Sequence, residues 1–130
     1  MSVQAVREYF AGFGREQDVL EFEQSSATVE LAAQAVGVIP ARIAKTLSFH
    51  KDEGGMLVVA AGDARIDNKK FKATFGCKAR MLSPEEALSF TGHSVGGVCP
   101  FALAQPLPVY LDESLKRFDC VYPACGSSNS

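Results

Sequence analysis

Three groups of residues in this chain are of types that do chemistry. The first is Lys45, within Ile43-Ala44-Lys45-Thr46-Leu47-Ser48-Phe49-His50. In a strand, alternate residues share a face, so Ile43, Lys45, Leu47 and Phe49 point one way and Ala44, Thr46, Ser48 and His50 the other. A lysine on an apolar face is rarely buried without a partner. Facing a cleft, it would hold a phosphate or carboxylate as a compact cation; near the strand end, it could equally reach solvent along its stem. The second group is the run His93-Ser94-Val95-Gly96-Gly97-Val98-Cys99-Pro100-Phe101. Paired glycines let the backbone approach a ligand, and successive N–H groups can cradle an anion or an ester oxyanion. They also make ordinary tight turns. The third group is the Cys99 thiol with His93 six positions before it. A nucleophilic cysteine needs a base and a lowered pKa, and sequence alone does not bring the two side chains together. The plainer readings are a structural cysteine and a polar loop histidine bonded to backbone. His50, beside an exposed turn, carries no functional weight.

The elements that must position these groups are legible from periodicity and punctuation. Val3, Val6, Phe10 and Phe13 recur at helical spacing and stop at Gly14. Val19–Glu23 reads as a short strand. Thr28 caps a helix ended by Gly37. Pro40 and Arg42 lead into a hairpin with strands Ile43–His50 and Met56–Ala61 around a turn at residues 51–55. Asp67 caps a basic helix ending at Gly76, and Cys77–Leu82 reads as a strand. Ser83-Pro84-Glu85-Glu86 is a capping box with proline at the first helical position, starting a helix that runs to about Thr91. Residues 91–108 form a connection longer than a compact domain tolerates without purpose. Pro108–Leu111 and Cys120–Ala124 read as final strands. The closing Gly126-Ser127-Ser128-Asn129-Ser130 is either a frayed tail or a small-residue rim with hydroxyl donors. Strands and helices mix without a strand–helix–strand rhythm, which indicates an α+β fold.

The chain has 130 residues, 47% of them hydrophobic, as expected of a single domain over 1–130 with its own core. No apolar run is long enough for a membrane span, and the N-terminus lacks the pattern of a secretion signal, so a cytoplasmic location is expected. A net charge of −2 argues against a general duplex-DNA binder. One basic cluster, Lys69, Lys70, Lys72, Lys78 and Arg80, reads first as a solvated helix face and second as a contact for RNA phosphates. Cys77, Cys99, Cys120 and Cys125 lack metal-type spacing and are expected as free thiols, with no zinc site. No phosphate-binding glycine motif of the nucleotide-dependent enzymes occurs.

Several segments occur in a telling order. They are Thr28-Val29-Glu30-Leu31-Ala32-Ala33, Arg42-Ile43-Ala44-Lys45-Thr46-Leu47, Gly62-Asp63, Gly92 to Phe101, and Gly126-Ser127-Ser128-Asn129. From about residue 17 to the end, this series resembles the YbaK/ProRS-associated editing family. The pairing of the strand lysine with GGVxPF is the specific part. The resemblance implies a mixed, barrel-like sheet with surrounding helices and the hydrolysis of mischarged aminoacyl-tRNA without metal or other cofactor. It implies that Lys45 engages substrate near the terminal adenosine. It also implies that Gly96 and Pro100, the ends of a GxxxP motif enclosing Gly97, present backbone groups to the scissile ester. Thr28, Thr46, His93, Val98, Cys99, Ser127 and Ser128, in the matching segments, are the expected substrate contacts. Cys99 departs from the serine that many such relatives have. Aminoacyl-tRNA is the implied partner, with prolyl-tRNA synthetase a second. Two other functions compete with a trans-acting deacylase: a non-catalytic module that binds a tRNA end or a synthetase, and a thiol redox protein using Cys120 and Cys125.

Overall fold

The computed structural model describes residues 2–130. Helix α1 spans Ser2–Ala11, α2 Val29–Val36, α3 Asn68–Phe75 and α4 Pro84–Thr91. Strands β1 (Ile43–Lys51), β2 (Gly54–Ala61), β3 (Val109–Leu111) and β4 (Tyr122–Pro123) form one sheet in the order β3-β2-β1-β4. The fold is α+β, with a mixed sheet curled as half a barrel. β1 and β2 pair antiparallel, whereas β4 runs parallel to β1 and β3 parallel to β2.

The local signals act through short-range hydrogen bonds. Thr28 Oγ1 accepts from Leu31 N at 3.2 Å, and Asp67 Oδ1 accepts from Lys69 N and Lys70 N. Ser83 and Glu86 form the reciprocal capping box at 3.1 and 2.9 Å. α2, α3 and α4 each close on a left-handed glycine, at Gly37, Gly76 and Gly92. The hairpin turn is tighter than expected. β1 runs on to Lys51 and β2 starts at Gly54, with Asp52 at φ 54°, a conformation that aspartate tolerates better than most residues.

Two segments that read as strands do not form them. Glu16–Asp18 is a 3-10 turn, and Val19–Glu23 follows it outside any sheet. Val19 is buried, but backbone alternation alone makes no strand without a neighbouring ladder. Cys77–Leu82 contributes one bridge, Phe49 opposite Met81. The last strand is shorter than Cys120–Ala124 because only Tyr122 and Pro123 pair with β1, and Pro123 has no N–H to donate.

The core has two parts. Phe49, Met56, Val58 and Phe71 pack together, with the Phe49 and Phe71 rings 4.9 Å apart. This buries the apolar stripe of α3 and leaves Lys69, Lys70 and Lys72 exposed, as a solvated helix face would be. Val6, Val19 and Cys99 form the second cluster, into which Phe10 and Phe101 pack with ring centroids 4.6 Å apart. That contact anchors the far end of the His93–Phe101 loop to α1. Among the described residues, no helix is long and apolar enough to cross a membrane.

Candidate active site

β1 delivers Lys45 to the wall of a cavity of about 800 Å³. The lysine is opposite Ala60 in the ladder, and its Nζ donates to two backbone carbonyls just past β2, Gly62 O at 3.4 Å and Ala64 O. An ammonium has three donors, so one remains for a ligand. Gly62 is there because nothing larger fits: a Cβ on it would lie 2.1 Å from Pro40 O and 2.7 Å from Val29 Cγ1. Beside it, Asp63 accepts from both terminal guanidinium nitrogens of Arg117, at 3.1 and 2.5 Å. That guanidinium holds the Asp63 carboxyl below the usual carboxylate range, and the Lys45 charge adds to the effect. Arg117 also lies 5.1 Å from the Phe118 ring centroid. Sequence reading missed the Asp63–Arg117 pair, which spans 54 residues with no local signature.

The opposite wall comes from the glycine loop and the chain's last residues. Gly97 N donates to Ser94 O, closing a turn, and Gly97 O accepts from Gly126 N. A Cβ on Gly97 would sit 2.4 Å from Ser127 N, so here backbone lies directly on backbone. Gly96, at φ 97°, takes a conformation that side chains disfavour, and it packs toward Ala27 and Ser128. The Gly97 N–H is thus already used. Among the described residues, the N–H groups of Gly96, Val98 and Cys99 have no acceptor, and of these Gly96 and Val98 line the cavity. The last residues are tied down: Ser26 N donates to Ser128 O at 2.7 Å, Phe22 N to Asn129 O at 2.8 Å, and Ser26 Oγ to Ser130 O at 3.2 Å. They are not a frayed tail, and Ser130 lines the cavity.

Of the expected site residues, Lys45, Gly96, Thr28, Thr46 and Val98 therefore meet around one cavity. Gly97 and Pro100 support the loop without lining it. The Thr28 hydroxyl is engaged as a helix cap, and the Ser127 hydroxyl bonds within the last residues, to Asn129 Oδ1 and Ser130 Oγ. Ser128 stands exposed near Gly96, a Cβ on which would lie 3.8 Å from Ser128 Cβ.

His93 and Cys99 lie in the core behind the loop, 1% and 0% exposed. His93 Nε2 is 2.7 Å from Phe101 O. A carbonyl only accepts, so Nε2 carries a proton and donates it, while Nδ1 is buried without a partner. The Cys99 sulfur, 3.5 Å from Nε2, faces a ring nitrogen that cannot take its proton. Burial pushes the thiol up to about 12. Cys99 is therefore a protonated core residue at neutral pH. Cys99→Ala is expected to keep turnover within about threefold, and an aromatic disulfide reagent should label exposed Cys120 while leaving native Cys99 intact. The protonated thiol favours the fold below the unfolded pKa of about 8.5, and that contribution is lost as pH rises toward 12. Thermal melts above pH 9 should thus fall more steeply for the parent than for Cys99→Ala.

The residue pattern of the aminoacyl-tRNA editing domain matches residues 23–130, which contain Lys45 and the glycine loop. The chain belongs to the aminoacyl-tRNA editing domain family. Within and around this family, a Bacillus subtilis protein described as uncharacterized, YwhH, is 63% identical over 132 aligned positions, spanning 100% of this chain and 83% of its own. The proline–tRNA ligase of Solidesulfovibrio magneticus is 36% identical over 90 residues, 68% of this chain and 15% of the ligase. The crystal structure of a candidate trans-editing enzyme for prolyl tRNA synthetase superposes with a TM-score of 0.88 at 35% identity, covering 98% of this chain and 82% of that one. In this editing domain the cavity combines a lysine ammonium, unpaired backbone amides and walls that are mostly apolar. Leu20, Met81 and Val95 stand exposed around it. Together these can hold an ester and polarise its carbonyl.

Proposed function

We propose that the chain is a trans-acting deacylase that hydrolyses the ester of mischarged aminoacyl-tRNA. The observation that carries this reading is the pairing, across one cavity, of the Lys45 ammonium with the acceptor-free amides of Gly96 and Val98. The family and the trans-editing neighbour support it. Lys45 and the exposed apolar residues Leu20, Met81 and Val95 hold the terminal nucleoside and its acyl group. The Gly96 and Val98 amides stabilise the oxyanion as water adds to the carbonyl carbon. The bond from that carbon to the ribose oxygen then breaks, the ribose oxygen takes a proton, and the free amino acid leaves. An aminoacyl ester is already activated, so positioning and oxyanion stabilisation suffice without a protein nucleophile. This suits a glycine loop whose own cysteine, Cys99, is buried as a neutral thiol. The reading places the protein in the cytoplasm, with aminoacyl-tRNA as substrate and prolyl-tRNA synthetase as a partner that would supply it.

The test is loss of radiolabelled alanine, cysteine, serine or proline from tRNA incubated with the purified chain. Selective loss of one or two of these is expected. Tight tRNA binding with no loss from any of them would sink the deacylase and favour a binding module.

A further inference from the structure

The sheet is interrupted at the cavity wall, and the interruption has a definite polarity. Leu57 and Val59 of β2 direct their main-chain groups to the β3 side, where Leu57 N donates to Pro108 O at 2.9 Å and Val59 O accepts from Asp112 N at 2.8 Å. Directly opposed residues of an antiparallel pair either bond each other or both face away. The partners of Leu57 and Val59, which are Ser48 and Thr46, must therefore turn their N–H and C=O groups to the other edge of β1. On that edge β4 covers only Ile43 and Ala44. Farther along, Leu82 N takes up Ser48 O at 3.0 Å, and His50 N reaches Arg80 O at 2.8 Å. Between these two patches, the Thr46 N–H and C=O and the Ser48 N–H have no partner among the described residues. The Thr46 hydroxyl is also buried without a partner. Both residues line the cavity, and the apolar groups around them offer no substitute. Unpaired main-chain groups beside apolar surface are costly unless a ligand or water meets them.

We propose that Thr46 reads the aminoacyl group through its own main chain, as a neighbouring strand would. Its C=O accepts from the substrate's α-ammonium, and its N–H joins the Gly96 and Val98 amides as a donor to the acyl carbonyl oxygen. A strand edge presents a donor and an acceptor from one residue, and an α-amino acyl group carries the complementary pair a few bonds apart. The site would thus select for a free α-amino group whatever the side chain, and reject acyl groups that lack one. This rests on the deacylase reading of the same cavity but makes a separate demand on the ligand.

The probe is 3′-alanylamino-3′-deoxyadenosine, whose amide replaces the labile ester. It is compared by calorimetry with its N-acetylated form and with the lactoyl analogue, which carries a hydroxyl in place of the amine. The free-amine probe is expected to bind at least about tenfold tighter than either, the usual scale for losing a charge-assisted hydrogen bond. In ¹⁵N-labelled protein, its titration should shift the Thr46 amide resonance. Thr46→Pro would remove the N–H but endanger the strand, so the resonance shift is the readout used. Equal affinity for the three compounds, absence of binding by all three, or an unmoved Thr46 amide would overturn the proposal. Discrimination among the probes with no hydrolysis of any mischarged tRNA would preserve it while removing the deacylase. Hydrolysis of N-acetylaminoacyl-tRNA as fast as of the free-amine form would do the reverse.

Discussion

Replacing Lys45 by methionine is expected to lower kcat/KM on a mischarged tRNA by about 10²-fold or more, the scale on which a single electrostatic contact to the reacting group acts. Methionine keeps an unbranched stem in the position between Ile43 and Leu47 and removes only the charge. The stability cost should be modest, about 1–2 kcal/mol, because the substitution strands the Gly62 and Ala64 carbonyls that Nζ now satisfies. A thermal melt by circular dichroism, run beside single-turnover deacylation, separates the two effects. A few degrees lost with two decades of rate lost is the expected pattern. Lys45→Arg should recover little, since a planar fork cannot reproduce an ammonium that contacts two carbonyls and keeps a third donor. If Lys45→Met works within threefold of the parent, the lysine is a strap between β1 and the end of β2, and catalysis lies elsewhere.

A large structural effect is expected from Gly97→Ala. The added methyl would sit 2.4 Å from Ser127 N, 2.6 Å from Gly126 C and 2.7 Å from Ser127 Cα. All three are backbone atoms, which cannot rotate aside. Either the glycine loop or the last residues must move, at a cost of about 3 kcal/mol or more, which for a domain of this size is roughly a 10 °C fall in Tm. Turnover should be lost beyond what the melt predicts, because the movement also displaces the Gly96 and Val98 amides. Gly12→Ala is the control: its Cβ would meet only Tyr9 O, at 3.4 Å, and should cost under about 1 kcal/mol. A Gly97→Ala protein that melts with the parent would show that the close approach of loop and last residues is not a constraint.

The physics of these two sites explains what could be read from the chain in advance. The sequence by itself determined whatever depends on bonds over a few residues. The caps at Thr28, Asp67 and Ser83, the glycine stops, the long β1–β2 hairpin and the placing of Lys45 within a strand are all of this kind. Their donors and acceptors lie two to four positions apart, so residue type and spacing suffice. The α+β class and the editing-family pattern were legible for the same reason, as ordered local motifs. Tertiary structure alone decided the rest. Residues 19–23 and 77–82 read locally as strands, but a strand exists only where a neighbour completes its ladder, and here the ladder is absent or a single bridge. The glycine motif indicated a backbone site, yet which amides remain open depended on Gly97 N spending its hydrogen bond on Ser94 O. His93 and Cys99 are close in sequence and in space. The fold nonetheless turned the imidazole toward Phe101 O and buried the thiol, which removes the chemistry their proximity suggests. The gap beside Thr46 exists because β4 stops at Pro123 and the 80–82 segment rejoins only at Ser48. Such pairings lie tens of residues apart, and chain closure and packing choose among them, which no local pattern encodes.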